Sequence, residues 1–208
     1  MPAQTDVSRH YTHGSLTDAI RDGLASLGKA PGTVTVDDLA PVDEFHIGGR
    51  KASEDFLDQL GFRADKHVLD VGCGLGGAAR FVAGRYGSRV TGIDLTSEYV
   101  ETGKTLCKWV GLDQRIVLHQ GSALAMPFAN NHFDGAYMLH VGMNIEDKDE
   151  LAAEVARVLR PGSAFGPKAA SRRLRSAVTA NPARSRAFLY RSGSATALKS
   201  AVAAHGTG

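Results

Sequence analysis

VLDVGCGLGG, residues 68–77, decides the fold. It opens in a β-rich run, HVLDV, and passes through a cluster of glycines into a helical pattern. Gly72, Gly74 and Gly77 satisfy the spacing GxGxxG, in which glycines let a backbone turn sharply and approach a ligand closely. The spacing alone does not name the ligand. Downstream, the pattern alternates between strand and helix. A helix over 77–86 ends at Gly87, a strand spans 89–93, and a helix over 97–110 starts at Ser97 as cap and stops at Gly111. Strands follow at 115–119 and 133–139. A helix over 147–159 is closed by Pro161-Gly162, and a strand stub follows at 164–165. This alternation predicts a doubly wound α/β domain, with a mostly parallel sheet and helices on both faces. Crossovers in such a sheet are right-handed, and ligands sit at the carboxyl ends of the strands, where the strand order reverses.

Upstream of the glycine segment the pattern is helical. Ser15 is an N-cap, Leu16, Ile20, Leu24 and Leu27 recur at helical spacing, and Gly28 ends the run. PVDEFHIGG, residues 41–49, reads as a loop with a double-glycine hinge. Residues 50–60 form a second amphipathic helix with Ala52, Phe56, Leu57 and Leu60 on one face.

The chain has 208 residues, 43% hydrophobic and 22% charged, which suits one soluble globular domain with extra elements. No run reaches about 18 apolar residues and the N-terminus has no apolar h-region, so neither a membrane span nor a secretory signal is expected. Cys73 and Cys107 make no disulfide framework, and His10 and His13 show no metal-site spacing, so a reducing, cytoplasmic setting without metal is expected. The formal charge of +2 hides an asymmetry: residues 1–162 hold all 22 acids and a net −6, whereas residues 163–208 hold eight basic residues and no acid. Three readings of this Ala/Ser/Arg-rich tail stand: an arm for nucleic acid or anionic membrane, a solvated extension, or out-of-frame sequence. The acidic body makes a poor nucleic-acid surface.

Asp70 narrows the ligand. It lies two residues before Gly72, where a carboxylate opposes a pyrophosphate seated at the helix N-terminus and suits a ligand with a cationic centre. Asp94 ends the second strand, 22 residues after Gly72, where an acid accepts hydrogen bonds from ribose hydroxyls in any adenosine ligand. S-adenosylmethionine has the ribose and two cationic centres and no phosphate. At this point the chain resembles the class I S-adenosylmethionine-dependent methyltransferases. Residues 70–76 (DVGCGLG) resemble the family's acidic, glycine-rich first motif, and GIDLT (92–96) its ribose-binding segment. GSALAMPFANNHFDGAYMLH (121–140) resembles the adenine-side loop and fourth strand, and RVLRPG (157–162) the turn before the fifth strand. PVDEFHIGGRKASEDFL and HVGMNIEDK are similar to small-molecule methyltransferases acting on glycine, sarcosine and dimethylglycine. Quinone-biosynthesis C-methyltransferases are a more distant likeness.

The resemblance covers residues 11–165 and implies a Rossmann-like fold. It implies three regions: an N-terminal helical cap or lid (1–60), a cofactor domain (61–165) and the basic tail (166–208). It also implies that Gly72, Gly74 and Gly76 line the methionine part of S-adenosylmethionine, with Asp70 orienting its amino group and Asp94 holding the ribose. Leu95 would pack on adenine, Ser122 and Ala123 would border its edge, and Leu139 would approach the methyl group. Ser122 stands where many relatives carry Asp.

Methyl transfer from a sulfonium is an in-line displacement, for which the protein aligns donor and acceptor and excludes water. His140, following a strand at the ligand edge, is the candidate for positioning the acceptor or removing its proton; a plain hydrogen-bonded histidine is the equal alternative. His46 beside the hinge, Met143 and Asn144 are candidates for the acceptor pocket, against loop packing as the simpler reading. The expected function is methyl transfer to a small molecule, an amine among the candidates. A non-catalytic cofactor-binding remnant and a nicotinamide-dependent oxidoreductase are the alternatives. The family's remaining strands are missing from the pattern after residue 165, so an uncovered sheet edge and impaired stability and catalysis are expected.

Overall fold

The computed structural model describes residues 16–43 and 49–168. Among them, five strands form one parallel sheet in the order β3-β2-β1-β4-β5: β1 (His67–Val71), β2 (Arg89–Asp94), β3 (Ile116–Gln120), β4 (Phe133–Leu139) and β5 (Leu159–Lys168). The order reverses between β1 and β4, which puts the switch point beside the glycine segment. Strand alternation sorts the side chains. Leu69, Val71, Ile93, Ala136 and Met138 join a core cluster with Leu151, Val155 and Val158 of α6 (Lys148–Val158). Val68, Val90, Ile116 and Tyr137 join another with Ala79 and Val82 of α4 (Gly77–Tyr86) and Val100 and Cys107 of α5 (Ser97–Trp109). Helices therefore cover both faces, as the alternation predicts.

The N-terminal part contributes α1 (Leu16–Ser26), α2 (Ala40–Asp43) and α3 (Gly49–Leu57), the last running into a 3₁₀ turn at Asp58–Leu60. Ile20, Leu24, Val34 and Leu39 cluster with Leu106 of α5 and with Leu75 of the glycine segment. α1 is further tied to α5 by Thr17 and Thr102, whose hydroxyls lie 2.9 Å apart.

Five local expectations change. The loop expected over 41–49 opens in a helix, since α2 runs to Asp43. Leu27 falls just past the end of α1 and is 70% exposed, so it leaves the apolar face. Thr96 and not Ser97 is the N-cap of α5, because Asp94 Oδ1 accepts the Thr96 N–H at 2.9 Å and turns the chain there. Asp147 caps α6 instead of opening it, accepting the N–H groups of Asp149 and Glu150. The expected stub at 164–165 is part of a ten-residue strand whose pairing with β4 reaches Leu139↔Lys168. Residues 169–208, the rest of the basic tail, lie outside the described residues. None of the described helices is long and apolar enough to cross a membrane.

Candidate cofactor site

The site is built at the carboxyl ends of β1, β2 and β4. After Val71 the chain folds over the end of β2: the N–H groups of Gly72 and Cys73 both donate to the Ile93 carbonyl, at 2.8 and 3.1 Å. Gly72 has φ +74°, and a Cβ there would stand 2.5 Å from both Cγ atoms of Val141. Glycine is thus demanded twice, by backbone and by space. Gly74, at φ +53°, differs: a Cβ would meet nothing within 4 Å, so its backbone faces an open gap. Gly76 is the left-handed N-cap of α4.

Asp94 braces this loop. Its Oδ2 accepts the Gly74 N–H at 2.9 Å while Oδ1 accepts the Thr96 N–H. A carboxylate offers about four lone-pair sites, so two remain for a ligand's hydroxyls. The Asp94 carbonyl accepts the Gly121 N–H at 2.8 Å, drawing the loop after β3 alongside. There Ser122 and Ala123 are half-buried, and Ser122 Oγ accepts the Leu124 N–H at 3.1 Å. Leu95 is half-buried next to Asp94.

Asp70 is 1% exposed and pairs in register with Tyr137 of β4, so both side chains share one face of the sheet. Burial pushes the Asp70 carboxyl up to about 8; the Tyr137 hydroxyl draws it down and the Asp94 charge adds to the rise. Asp70 Oδ2 and Tyr137 Oη both lie buried without a well-formed hydrogen bond. Two buried polar atoms left in that state are costly, and a cationic donor group reaching them would relieve both.

On the β4 side, Leu139 and His140 are half-buried, and His140 holds φ +56°, a backbone conformation unusual for a side chain with a Cβ. Val141 packs over Gly72 and so joins the His140 turn to the glycine loop. Met143 is 62% exposed and Asn144 exposed; no described contact brings either against the glycine loop. His46 lies outside the described residues. Cys73 and Cys107 are buried thiols whose ionisation burial opposes, which removes them as nucleophiles. The sequence reading missed Tyr137 and Val141. The signal for Tyr137 was its place opposite Asp70 once β1 and β4 are paired.

The donor set fits S-adenosylmethionine. Asp70 and Tyr137 present two buried polar atoms, the backbone at Gly74 borders open space, and Asp94 has acceptor sites beyond the two it uses in the loop.

Comparison with known proteins agrees. The family described as "Methyltransferase domain" matches residues 69–165. A probable chloroplastic tocopherol O-methyltransferase of Oryza sativa is 38% identical over 98 residues, 47% of this chain and 27% of that protein. A 24-methylenesterol C-methyltransferase of Arabidopsis thaliana is 36% identical over 109 residues, 52% of this chain and 30% of that protein. A geranyl diphosphate methyltransferase solved in complex with SAM superposes with a TM-score of 0.53 at 25% identity, covering 62% of this chain and 57% of that one. The chain thus spans about a third or less of the length of these two curated relatives. The glycine turn, the acid behind it, the acid that braces it and the sheet order all meet within residues 69–165, and these residues form a class I S-adenosylmethionine-dependent methyltransferase domain.

Proposed function

We propose that this chain binds S-adenosylmethionine in the crevice between β1 and β4 and transfers its methyl group to a small-molecule acceptor. The observation that carries this reading is the buried Asp70 carboxyl, whose Oδ2 has no well-formed hydrogen bond, behind a glycine loop that opens at Gly74. Bound there, the cofactor supplies a methyl group on a sulfonium, which leaves as a neutral thioether. The protein's part is alignment and exclusion of water. Asp70 anchors the amino group, Asp94 the ribose, Leu95, Ser122 and Ala123 the adenine, and Gly72, Gly74 and Gly76 the methionine chain. Leu139 and His140 face the acceptor side, where His140 positions the acceptor or takes its proton. Met143 and Asn144 complete the acceptor's surroundings.

The acceptor class follows from the proton to be lost. An amine or an acidic carbon needs only a modest base, which a histidine provides. Oxygen and carbon acceptors stand beside amines, since one relative is named an O-methyltransferase and another a C-methyltransferase. The buried free thiols accord with a reducing, cytoplasmic location.

Calorimetric titration with S-adenosylhomocysteine tests the cofactor assignment. One-to-one binding, weakened at least tenfold by Asp94→Ala, is expected, with no binding of NADH. Transfer of a labelled methyl group to a panel of amines, phenols and carbon acids then identifies the acceptor. A folded chain that binds NADH and not S-adenosylhomocysteine refutes the proposal.

A further inference from the structure

Arg80 is the largest fully buried side chain among the described residues, and the methyl-transfer chemistry leaves it without a task. It sits on α4, one turn after Gly77, with its side chain 0% exposed. Its guanidinium forms an ion pair with Asp43 at the end of α2, whose side chain is 1% exposed. Nη1 donates to the Leu75 carbonyl at 2.7 Å and lies 3.8 Å from Cys107 Sγ on α5. Leu75 belongs to the glycine loop, between Gly74 and Gly76, both at positive φ. Its side chain is held in the N-terminal cluster with Ile20, Leu24, Val34 and Leu39. Asp43 also seats itself directly on α4: a Cβ on Gly77 would come within 2.5 Å of its own Cβ.

We propose that Asp43 and Arg80 are positioning residues for the cofactor loop: the buried pair grips the Leu75 carbonyl and makes the N-terminal segment part of the loop's scaffold. The physical reason lies in the loop's composition. Glycines on either side of Leu75 leave its orientation weakly determined by local backbone preference. Orientation then has to come from outside, through the carbonyl held by Arg80 and the side chain held by the N-terminal cluster. A buried ion pair is a poor source of net stability, because desolvation of both charges offsets their attraction, but its fixed fork geometry is well suited to setting a register. Removing Asp43 would leave a guanidinium uncompensated in the interior, so the pair also couples the N-terminal segment to the loop energetically. This inference rests on the reading that the glycine loop holds the cofactor.

The test separates positioning from plain stability. In the full chain, Asp43→Leu combined with Arg80→Met replaces the pair by apolar side chains of similar volume, a change that buried ion pairs tolerate with little loss of stability. Thermal melting and S-adenosylhomocysteine titration are then compared with the wild type and with Asp94→Ala. The expected result is a cooperatively melting variant that binds the ligand at least tenfold more weakly. Wild-type affinity in the folded double variant overturns the inference. Should the double variant not fold, Arg80→Lys decides: it keeps the charge opposite Asp43 but lacks the fork that reaches the Leu75 carbonyl. Weakened binding with an unchanged melting temperature supports positioning, and unchanged binding overturns it. A wild type that does not bind the ligand, or binds it equally after Asp94→Ala, refutes the cofactor site itself, which is a separate failure.

Discussion

Binding of a cationic ligand at Asp70 should release a proton, and the size of the effect follows from the site. In the ligand-free chain burial holds the Asp70 carboxyl at about 8, so near pH 7 roughly nine sites in ten are protonated. Tyr137 and Cys73, which face it, are pushed well above their ordinary values, so both stay neutral in this range, and the Asp94 charge adds to the rise at Asp70. An ammonium against Asp70 favours its ionised form. Apparent affinity then falls about tenfold per pH unit below 8, or about 50-fold from pH 8 to pH 6, with release of about 0.9 proton per ligand at pH 7. Titration calorimetry with S-adenosylhomocysteine in buffers of differing ionisation enthalpy measures both quantities. Asp70→Asn, run alongside, isolates the ligand's own ionisation. Stability without ligand carries the same signature. A carboxyl raised in the folded state binds more protons there than in the unfolded chain between about 4 and 8. Its contribution is therefore complete below pH 4 and is lost as pH rises through 8. The wild type should lose melting temperature over that window relative to Asp70→Asn. Affinity that stays flat from pH 6 to 8, with no proton released, refutes the reasoning.

The glycine loop gives a paired prediction. Gly72→Ala and Gly74→Ala each force a left-handed residue to carry a Cβ, at about 1–2 kcal/mol. Only Gly72→Ala also drives that Cβ into Val141, adding about 1–3 kcal/mol of overpacking. Melting curves should therefore place Gly72→Ala lower, while calorimetry shows Gly74→Ala losing ligand affinity out of proportion to its smaller stability loss. Equal stability losses would refute the packing argument. At His140, Gly relieves the backbone strain of φ +56° and Ala does not, so His140→Gly should melt above His140→Ala. If His140 serves the acceptor's proton, single-turnover methyl transfer should fall about 10²-fold or more in both variants while S-adenosylhomocysteine affinity stays within a few-fold; unchanged turnover leaves it a structural histidine.

The sheet was legible because its signals are local. β1, α4 and β4 have the limits the sequence implies, since each is a short apolar run closed by a glycine or an abrupt change of pattern. β5 was not, because Pro161-Gly162 reads as a break. In the structure these residues lie in an irregular stretch between Phe133↔Leu159 and Gly135↔Ala164, after which regular pairing resumes. The site divides in the same way. Asp70, the glycines and Asp94 announce themselves by spacing. Val141, Tyr137 and the Asp43–Arg80 pair do not, because each acts across 37 or more residues of sequence or across a strand pairing. An arginine on a helix is ordinarily assigned to the surface. The one warning was its setting, with Ala79 before it and Phe81, Val82 and Ala83 after it, all of them buried in α4.

These long-range contacts bear on how the site binds. The loop from Gly72 to Gly76 contains three glycines at positive φ and would be expensive to order at the moment of binding. It is instead fastened beforehand from three directions: to the Ile93 carbonyl at its start, to Asp94 Oδ2 at Gly74 and to Arg80 at Leu75. Ordering done during folding is not charged again to the ligand, which is the basis of preorganised affinity. Two of these anchors come from β2, close in sequence to the loop. The third depends on Asp43, more than thirty residues upstream of Leu75. On the proposal made above, the cofactor's affinity would be set partly by a segment that carries no cofactor motif, and a cofactor domain cut to begin at residue 61 would lose the counter-charge that pairs with Arg80.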